Sequence, residues 1–241
     1  MQRIGDRLIF SPSDLNHFLE CAHLTALDLA RDPGTPRAAR DAQAELLAAK
    51  GLEHERAWLD RFRASGNVVV SIDSPGPERD WRSDATRTID AMRRGAAVIY
   101  QGVFVEGDWH GVSDFLVRVE RPSNLGAWSY EAWDTKLARR AKPYFVLQLC
   151  FYTEQLTRIQ GVTPEEMVIV LGTGERERLR SRDFDAYYRA VRGEFLKAVS
   201  AQTPTYPYPV AHCGLCAFRT PCEQRWDDDR HLSLVANIRR D

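Results

Sequence analysis

The spacing of apolar positions divides the chain into a helical beginning, a strand-rich middle and a mixed final part. Residues 11 to 31 predict a helix, with Ser11 or Ser13 as its cap and Leu15, Phe18, Leu19 and Leu27 as its apolar stripe. A Pro/Gly-rich break at Asp32 to Pro36 ends it, and a longer Ala-rich helix follows from about Ala38 to Ala64. Val68 to Val70 predicts a short strand, Ser74 to Pro77 a loop, and residues 82 to 94 a further helix. From Ala97 the period changes. Ala97 to Val105, Gly111 to Val119 and Trp128 to Thr135 are rich in β-branched and aromatic residues, and Glu106-Gly107-Asp108 turns the first two into antiparallel neighbours. Pro143 opens a helix through Arg158, where its missing N–H does no harm. Met167 to Leu171 reads as a buried strand reached by a parallel crossover from the strand ending near Thr135. A last helix is expected over 183 to 200, then a loop at Pro204, Pro207 and Pro209, a cysteine cluster and a short amphipathic end.

This order predicts an α/β fold, a mixed sheet with helices before, between and after its strands. A length of 241 residues suits one large domain or a core with a small appendage. The apolar content, 44%, allows a core without disulfides. No run approaches the roughly 18 apolar residues of a membrane span, so no membrane partner is expected. The opening Met1 to Asp6 lacks the apolar stretch of a secretory signal, which makes a cytoplasmic protein the expectation. A net charge of −1 gives no global support for a nucleic-acid partner, so any such contact must rest on local patches. There is no Gly-x-x-x-x-Gly-Lys loop of an ATP-driven motor, no Gly-x-Ser-x-Gly elbow and no His-Glu-x-x-His helix.

Five cysteines, an odd count, argue against a disulfide framework in a reducing compartment. Cys213 and Cys216 have the two-residue separation that lets both sulfurs reach one metal, and Cys222 follows closely. A four-coordinate site needs one more ligand, from Cys21, Cys150 or His212. Cys150 sits in an apolar helix and reads as a core residue. Cys21 is preferred, which makes the site a clasp between the two ends of the chain. One close pair with two single ligands suits an iron–sulfur cubane, with zinc as the alternative.

Asp114 is one acid in an otherwise apolar strand, where a carboxylate is costly unless paired or bound to a cation. Asp134 and Lys136 share a face of another strand. If these strands are neighbours, the three side chains converge. Two carboxylates for a hard divalent cation and a lysine to offset developing charge suit phosphodiester hydrolysis, although isolated Asp–Lys ion pairs are commoner than active sites. His54 shares a helix face with Leu47 and Trp58 and is expected to point inward. Gln148 and Tyr152 lie one helical turn apart on the following helix, and the Tyr152 ring belongs to the stripe Phe145, Leu149, Tyr152, Leu156.

The ordered set His54, Asp114, Asp134-Thr135-Lys136 and Gln148-x-x-x-Tyr152 resembles the RecB-like branch of the PD-(D/E)XK nucleases. The opening Ser13-x-Leu15-x-x-Phe18-x-x-Cys21, with Cys213, Cys216 and Cys222 late in the chain, is similar to its iron–sulfur members, the AddB-type and CRISPR-associated nucleases. Asp134 stands where glutamate is commoner in that family, and Ala22 where proline is frequent. The resemblance implies a restriction-endonuclease-like sheet flanked by helices over 1 to 222, with 223 to 241 as a tail leading to a further domain or partner. By position it makes His54, Asp114 and Asp134 ligands of Mg²⁺ or Mn²⁺, with the Thr135 carbonyl. Lys136 becomes the catalytic lysine, and Gln148 and Tyr152 position DNA or the attacking water. Cys21, Cys213, Cys216 and Cys222 would hold a [4Fe–4S] cluster. DNA that is single-stranded or carries a free end, and a helicase domain or subunit, are the partners it implies, in repair, recombination or CRISPR adaptation.

Arg139, Arg140 and Lys142 precede the Pro143 helix as a candidate phosphate cradle, against the plainer reading of a solvated turn. Arg176, Arg178, Arg180 and Arg182 alternate along an expected edge strand, tempered by Glu175 and Glu177. Leu232 to Arg240 reads as the start of an amphipathic helix. Two other functions fit the same residues: a non-catalytic DNA-binding or scaffold subunit with a nuclease-like fold, and a zinc-stapled hydrolase of another phosphodiester such as RNA.

Overall fold

The computed structural model describes residues 1–4, 7–31, 42–72 and 79–235. Two short strands, β1 (Gln2–Ile4) and β2 (Arg7–Ile9), form an antiparallel pair ahead of the helices α1 (Pro12–Glu20), α2 (Ala22–Ala30) and α3 (Ala42–Ala64). Next come β3 (Val69–Ser71), α4 (Trp81–Arg93), β4 (Val98–Glu106), β5 (Trp109–Val119), β6 (Ser129–Lys136) and α5 (Pro143–Gln160). The last long elements are β7 (Glu166–Leu171), β8 (Arg176–Arg180), α6 (Asp185–Ala201) and α7 (Arg219–Asp228).

β3 to β8 form one six-stranded sheet in sequence order. β4, β5 and β6 are an antiparallel meander, with the turn where Glu106-Gly107-Asp108 predicted it. β6 and β7 are parallel, joined through α5 as expected, and β3 pairs parallel to β4 through α4. β8 is the antiparallel edge.

Both faces of the sheet are covered, which is why its central strands read as nearly continuous apolar runs. Ile99, Leu116, Tyr130, Ala132, Met167 and Ile169 join the larger core with residues of α1, α4, α5 and α6. Val98, Tyr100, Phe115, Trp133, Val168 and Val170 face the other way, against Trp58 and Leu59 of α3. Alternation along β6 therefore sends Trp133 toward α3, and Asp134, like Ala132, toward α5.

The structure departs from the sequence expectations in several places. The helix expected over 11–31 is two helices, broken at Cys21, which is extended (φ −162°, ψ 108°). Leu15 is buried from the first half and Leu24 from the second, so each half docks separately and Leu19 is left exposed. The inward face of α3 holds His54 and Trp58 as expected, with Glu55, Leu59 and Phe62, whereas Leu47 is exposed. Arg182 lies beyond β8 in a 3-10 turn (Ser181–Asp183), because the strand ends at Arg180. Finally, the region after Pro209 contains a 3-10 turn (Ala211–Leu215) and α7, which runs across the expected boundary at 222. Sequence periodicity missed α7 because Trp226 alone among its residues is buried. Where an amphipathic helix was expected to start, Leu232–Leu234 form only a 3-10 turn and Val235 is extended, with Leu232 and Leu234 exposed and so without a face to bury. The break at 32–36, the start of the third helix at 38–41, the loop at 74–77 and the end of the amphipathic stretch at 236–240 lie outside the described residues. Among the described residues, no helix is long and apolar enough to cross a membrane.

Candidate functional site

The ladder between β5 and β6 runs from Val119↔Ser129 to Phe115↔Trp133 and stops there. One step further stand Asp114 and Asp134, so the two carboxylates lie where the strands part. The Asp114 carboxylate takes over the role of the missing ladder partner. Its Oδ2 accepts the Thr135 N–H at 2.7 Å and the Thr135 hydroxyl at 2.6 Å. Freed strand backbone needs a partner of this kind, and here a side chain supplies it.

Asp134 is fully buried, and neither of its oxygens receives a well-directed hydrogen bond, although Lys136 Nζ stands 2.6 Å from Oδ2. Burial pushes its carboxyl up to about 7, with Lys136 opposing and Asp114 adding to the rise. Burial alone would lower Lys136. The carboxylates of Asp134 and Asp114 outweigh it and hold the ammonium above its ordinary value. Lys136 Nζ also donates to Gln148 Oε1 at 3.0 Å, Gln148 Nε2 donates to the Tyr152 hydroxyl at 3.0 Å, and that hydroxyl donates to the Val112 carbonyl. This relay links β6 to α5 and returns to β5 two residues before Asp114. The Tyr152 ring is buried in the stripe expected for it, with Phe145, Leu149 and Leu156.

Asp114, Asp134, Thr135, Lys136, Gln148 and Tyr152 are thus brought together. His54 is placed differently from the acids. Its ring is partly buried on α3, with Nε2 3.4 Å from the Val170 carbonyl of β7, the residue paired with Thr135. Glu55, beside it, was missed by sequence reasoning and lies within electrostatic reach of Asp114 and Lys136. Burial raises its carboxyl, the charge of Asp114 raises it further, and hydrogen bonds from Tyr100 and Gln101 and the charge of Lys136 pull it back. The signal was available: the stripe Trp58, Leu59, Phe62 continues one turn back onto Glu55, an acid on an inward face.

Oxygen donors and a buried carboxylate lacking well-directed hydrogen bonds fit a hard divalent cation. Among the described residues, no group of three or more His, Cys, Asp or Glu side chains is placed to hold a metal ion, neither at these acids nor at the cysteines. That is compatible with Mg²⁺, which keeps several waters and needs only one or two carboxylates from the protein.

The second constellation is remote in sequence. Cys21, Cys213, Cys216 and Cys222 line one cavity between the α1–α2 junction and the segment after Pro207, together with His23, His212 and Trp226. The break at Cys21 is what turns it toward this cavity rather than along a continuous helix. The Val210 N–H lies 3.3 Å from Cys213 Sγ and the Phe218 N–H 3.4 Å from Cys216 Sγ; burial nevertheless pushes the Cys216 thiol up, with the Phe218 contact opposing. Burial pushes the Cys222 thiol up to about 11, with the charges of Cys216, Cys21 and Cys213 adding to it. The alternatives for a fourth ligand separate. Cys150 is buried in the main core, its thiol pushed up to about 12 by burial, whereas His212 borders the same cavity as the other cysteines. Trp226 fastens α7 here through Nε1, which donates to the Pro207 carbonyl at 2.7 Å.

Arg139, Arg140 and Lys142 are exposed on the approach to α5, and among the described residues none of them forms an ion pair with an acid. On β8, Arg178 is engaged by Glu166 and lies over Trp133, so that strand's basic face is partly neutralised. Compared with known proteins, the chain matches no family model, and no curated protein matches it significantly.

Proposed function

We propose that this protein is a divalent-cation-dependent nuclease that hydrolyses phosphodiester bonds of DNA, with a RecB-like PD-(D/E)XK centre and a four-cysteine clasp. The observation that carries this reading is the end of the β5–β6 ladder at Asp114 and Asp134, beside Lys136 and its relay to Gln148 and Tyr152. A bound Mg²⁺ or Mn²⁺ supplies Lewis-acid polarisation of the phosphoryl oxygen and a water of lowered pKa. Asp134 and Asp114 would hold it, through oxygens that lie on adjacent strands. Lys136 supplies a positive charge for the oxygens of the phosphate, and the relay through Gln148 to Tyr152 fixes the direction in which its ammonium points. Arg139, Arg140 and Lys142, which form no ion pair among the described residues, suit contacts to the DNA backbone on the approach to the centre. Cys21, Cys213, Cys216 and Cys222 would hold a [4Fe–4S] cluster, with zinc as the alternative, and its role is structural.

One observation favours a second reading, that of a non-catalytic DNA-binding or scaffold subunit: Lys136 already neutralises Asp134, with no ready-made cation cage among the described residues. The decisive experiment compares anaerobically purified wild type, Asp134→Ala and Lys136→Ala on single-stranded DNA, double-stranded DNA and RNA, with and without Mg²⁺ or Mn²⁺. Cation-dependent cleavage of DNA by wild type alone is expected. Equal activity of the three proteins rejects the nuclease, and DNA binding without cleavage selects the scaffold. Iron and zinc analysis of the same preparation identifies the metal of the clasp.

A further inference from the structure

We propose that Arg61 and Arg176 are a contact for the phosphodiester backbone of a DNA strand, on the α3 face of the sheet near its β8 edge. The inference rests on reading the protein as one that binds DNA, and it gives the strand a course across the sheet from Asp114.

The register fixes where Arg176 stands. Thr135 of β6 pairs with Val170 of β7, and Val170 pairs with Arg176 of β8. Residues paired in this way share a face, so Thr135, Val170 and Arg176 form one line across three strands. Two inter-strand spacings make that line about 10 Å long. It begins at the residue that Asp114 bonds and passes His54, whose Nε2 lies 3.4 Å from the Val170 carbonyl. Val170 and Trp133 belong to the cluster that packs on α3, which identifies the face.

Two buried indoles support the far end of the line. The Arg61 guanidinium lies 4.9 Å from the ring centre of Trp58, and those of Arg176 and Arg178 lie 5.8 and 5.7 Å from that of Trp133. Phe62 packs against both indoles. A guanidinium resting on an indole is held in place while its N–H groups stay available to oxygen acceptors. Arg61 and Arg176 are far apart in the chain, yet both reach the β7–β8 turn. At Gly174 (φ 84°), two positions before Arg176, a side chain would begin 3.8 Å from Arg61 Nη1.

The plainer reading is that alternating charges guard an edge strand against pairing with another chain. It accounts for Arg178, which Glu166 engages and Glu131 approaches at 4.0 Å. It does not account for Arg61 and Arg176. Both are exposed, and among the described residues neither forms an ion pair with an acid. Glu177 falls on the opposite face by alternation, and Glu175, at the turn, pairs with neither arginine. Like charges gathered at one corner repel each other, and an anionic ligand relieves that repulsion. Guanidinium groups on rigid supports suit phosphate oxygens, which they can bind through two parallel N–H bonds.

Binding of a fluorescein-labelled single-stranded oligodeoxynucleotide to the anaerobically purified full chain, followed by anisotropy without divalent cation, tests this directly. Wild type is compared with Arg61→Gln, Arg176→Gln and Arg178→Gln, which keep part of the stem over the indole but remove the charge. The thermal midpoint of each protein is recorded alongside. Arg61→Gln and Arg176→Gln are each expected to weaken binding about tenfold. Each should also lower the slope of log affinity against log salt by about 0.7, the value of one phosphate contact on a single strand. Arg178→Gln, whose charge Glu166 already engages, should bind within twofold of wild type. A purely structural role for Arg61 or Arg176 would lower the midpoint and leave the salt slope unmoved. Binding within twofold of wild type and an unchanged slope in both Arg61→Gln and Arg176→Gln overturn the inference, as does a wild type that binds no oligonucleotide. An equal loss in Arg178→Gln overturns it too, since any charge on this edge would then serve. Cleavage with Mg²⁺ assayed in parallel separates the two readings. A wild type that fails to cut, yet binds through Arg61 and Arg176, supports this inference and rejects the nuclease. Cleavage by wild type, with binding indifferent to both arginines, does the reverse.

Discussion

The acidic centre is built on β5 and β6, neighbours in the middle of a sheet covered on both faces, whereas the sulfur-lined cavity joins the α1–α2 junction to short turns beyond Pro207. In the first, Asp114, Thr135, Lys136, Gln148 and Tyr152 are already bonded to one another across three elements. In the second, the described contacts are few: two N–H···S contacts, the Trp226 anchor and apolar lining. The difference teaches which group of side chains the fold itself holds together. A site held by ladder register and hydrogen bonds stands without a cation. If the proposed clasp is right, a cavity closed between segments nearly 200 residues apart would depend on what its thiolates bind, because ordering so long a loop costs conformational entropy.

The largest expected effect follows from that contrast. Cys216→Ala or Cys222→Ala should remove metal-linked stability on the order of 10 kcal/mol, a large part of what holds a domain folded. Thermal unfolding should show it, and limited proteolysis should cut first after Pro207. Unchanged midpoints and an uncut C-terminal segment would dissolve the distinction between the two centres.

Changes in the acidic centre should act on activity instead. Asp134→Ala or Lys136→Ala is expected to lower DNA cleavage by about 10³-fold, equivalent to about 4 kcal/mol of transition-state stabilisation, with the fold retained. Steady-state kinetics together with circular dichroism checks both halves of that statement.

A pH dependence comes next. Burial pushes Asp134 up to about 7, so its protonated form is the one the folded protein favours. The stability this contributes is complete below the ordinary carboxylate range and is lost as pH rises through about 7, on the order of 4 kcal/mol. Asp134→Asn should flatten this loss in cation-free denaturant titrations between pH 5 and pH 8. Mg²⁺ or Mn²⁺ should stabilise wild type more at pH 8 than at pH 6, since the cation competes with the proton. Glu131, on the α3 side of β6, is also pushed up to about 7 by burial, with Glu166 adding and Arg178 opposing. Its slope has the same sign but should not respond to the cation, which makes Glu131→Gln the control.

The smallest effect belongs to the end of the relay. Tyr152→Phe removes the hydroxyl that joins Gln148 to the Val112 carbonyl, and should cost about 1 kcal/mol of stability. Cleavage should fall less than tenfold, because Lys136 keeps its bond to Gln148.

Much of the frame was legible because it is written locally. The β4–β5 turn, the Pro143 start of α5, the parallel crossover to β7 and the buried strand there all follow from short-range patterns. The meeting of Asp114, Asp134, Lys136, Gln148 and Tyr152 was legible as an ordered set; Cys21 and the late cysteines do border one cavity, but among the described residues they form no group placed to hold a metal. Other features were hidden for particular reasons. Cys21 breaks a stretch whose composition suits one helix, since Leu15 and Leu24 find separate places to bury. α7 buries little and so leaves no periodic trace. Glu55 was overlooked because the inward face of α3 was drawn through Leu47, which is exposed; His54 does face the sheet, and Glu55 lies beside it on the face of Trp58, Leu59 and Phe62.

Local alternation was therefore enough to specify the kind and order of the elements and the identity of the polar residues set among apolar ones. Tertiary structure alone decided where the β5–β6 ladder ends, that Gln101 turns left-handed opposite Asp114, and which side of α3 looks at the acids. The physical reason is the range of the forces involved. Side-chain periodicity is a property of a few successive residues, whereas a ladder's end and a helix's facing are settled by hydrogen bonds and packing between segments far apart in the chain.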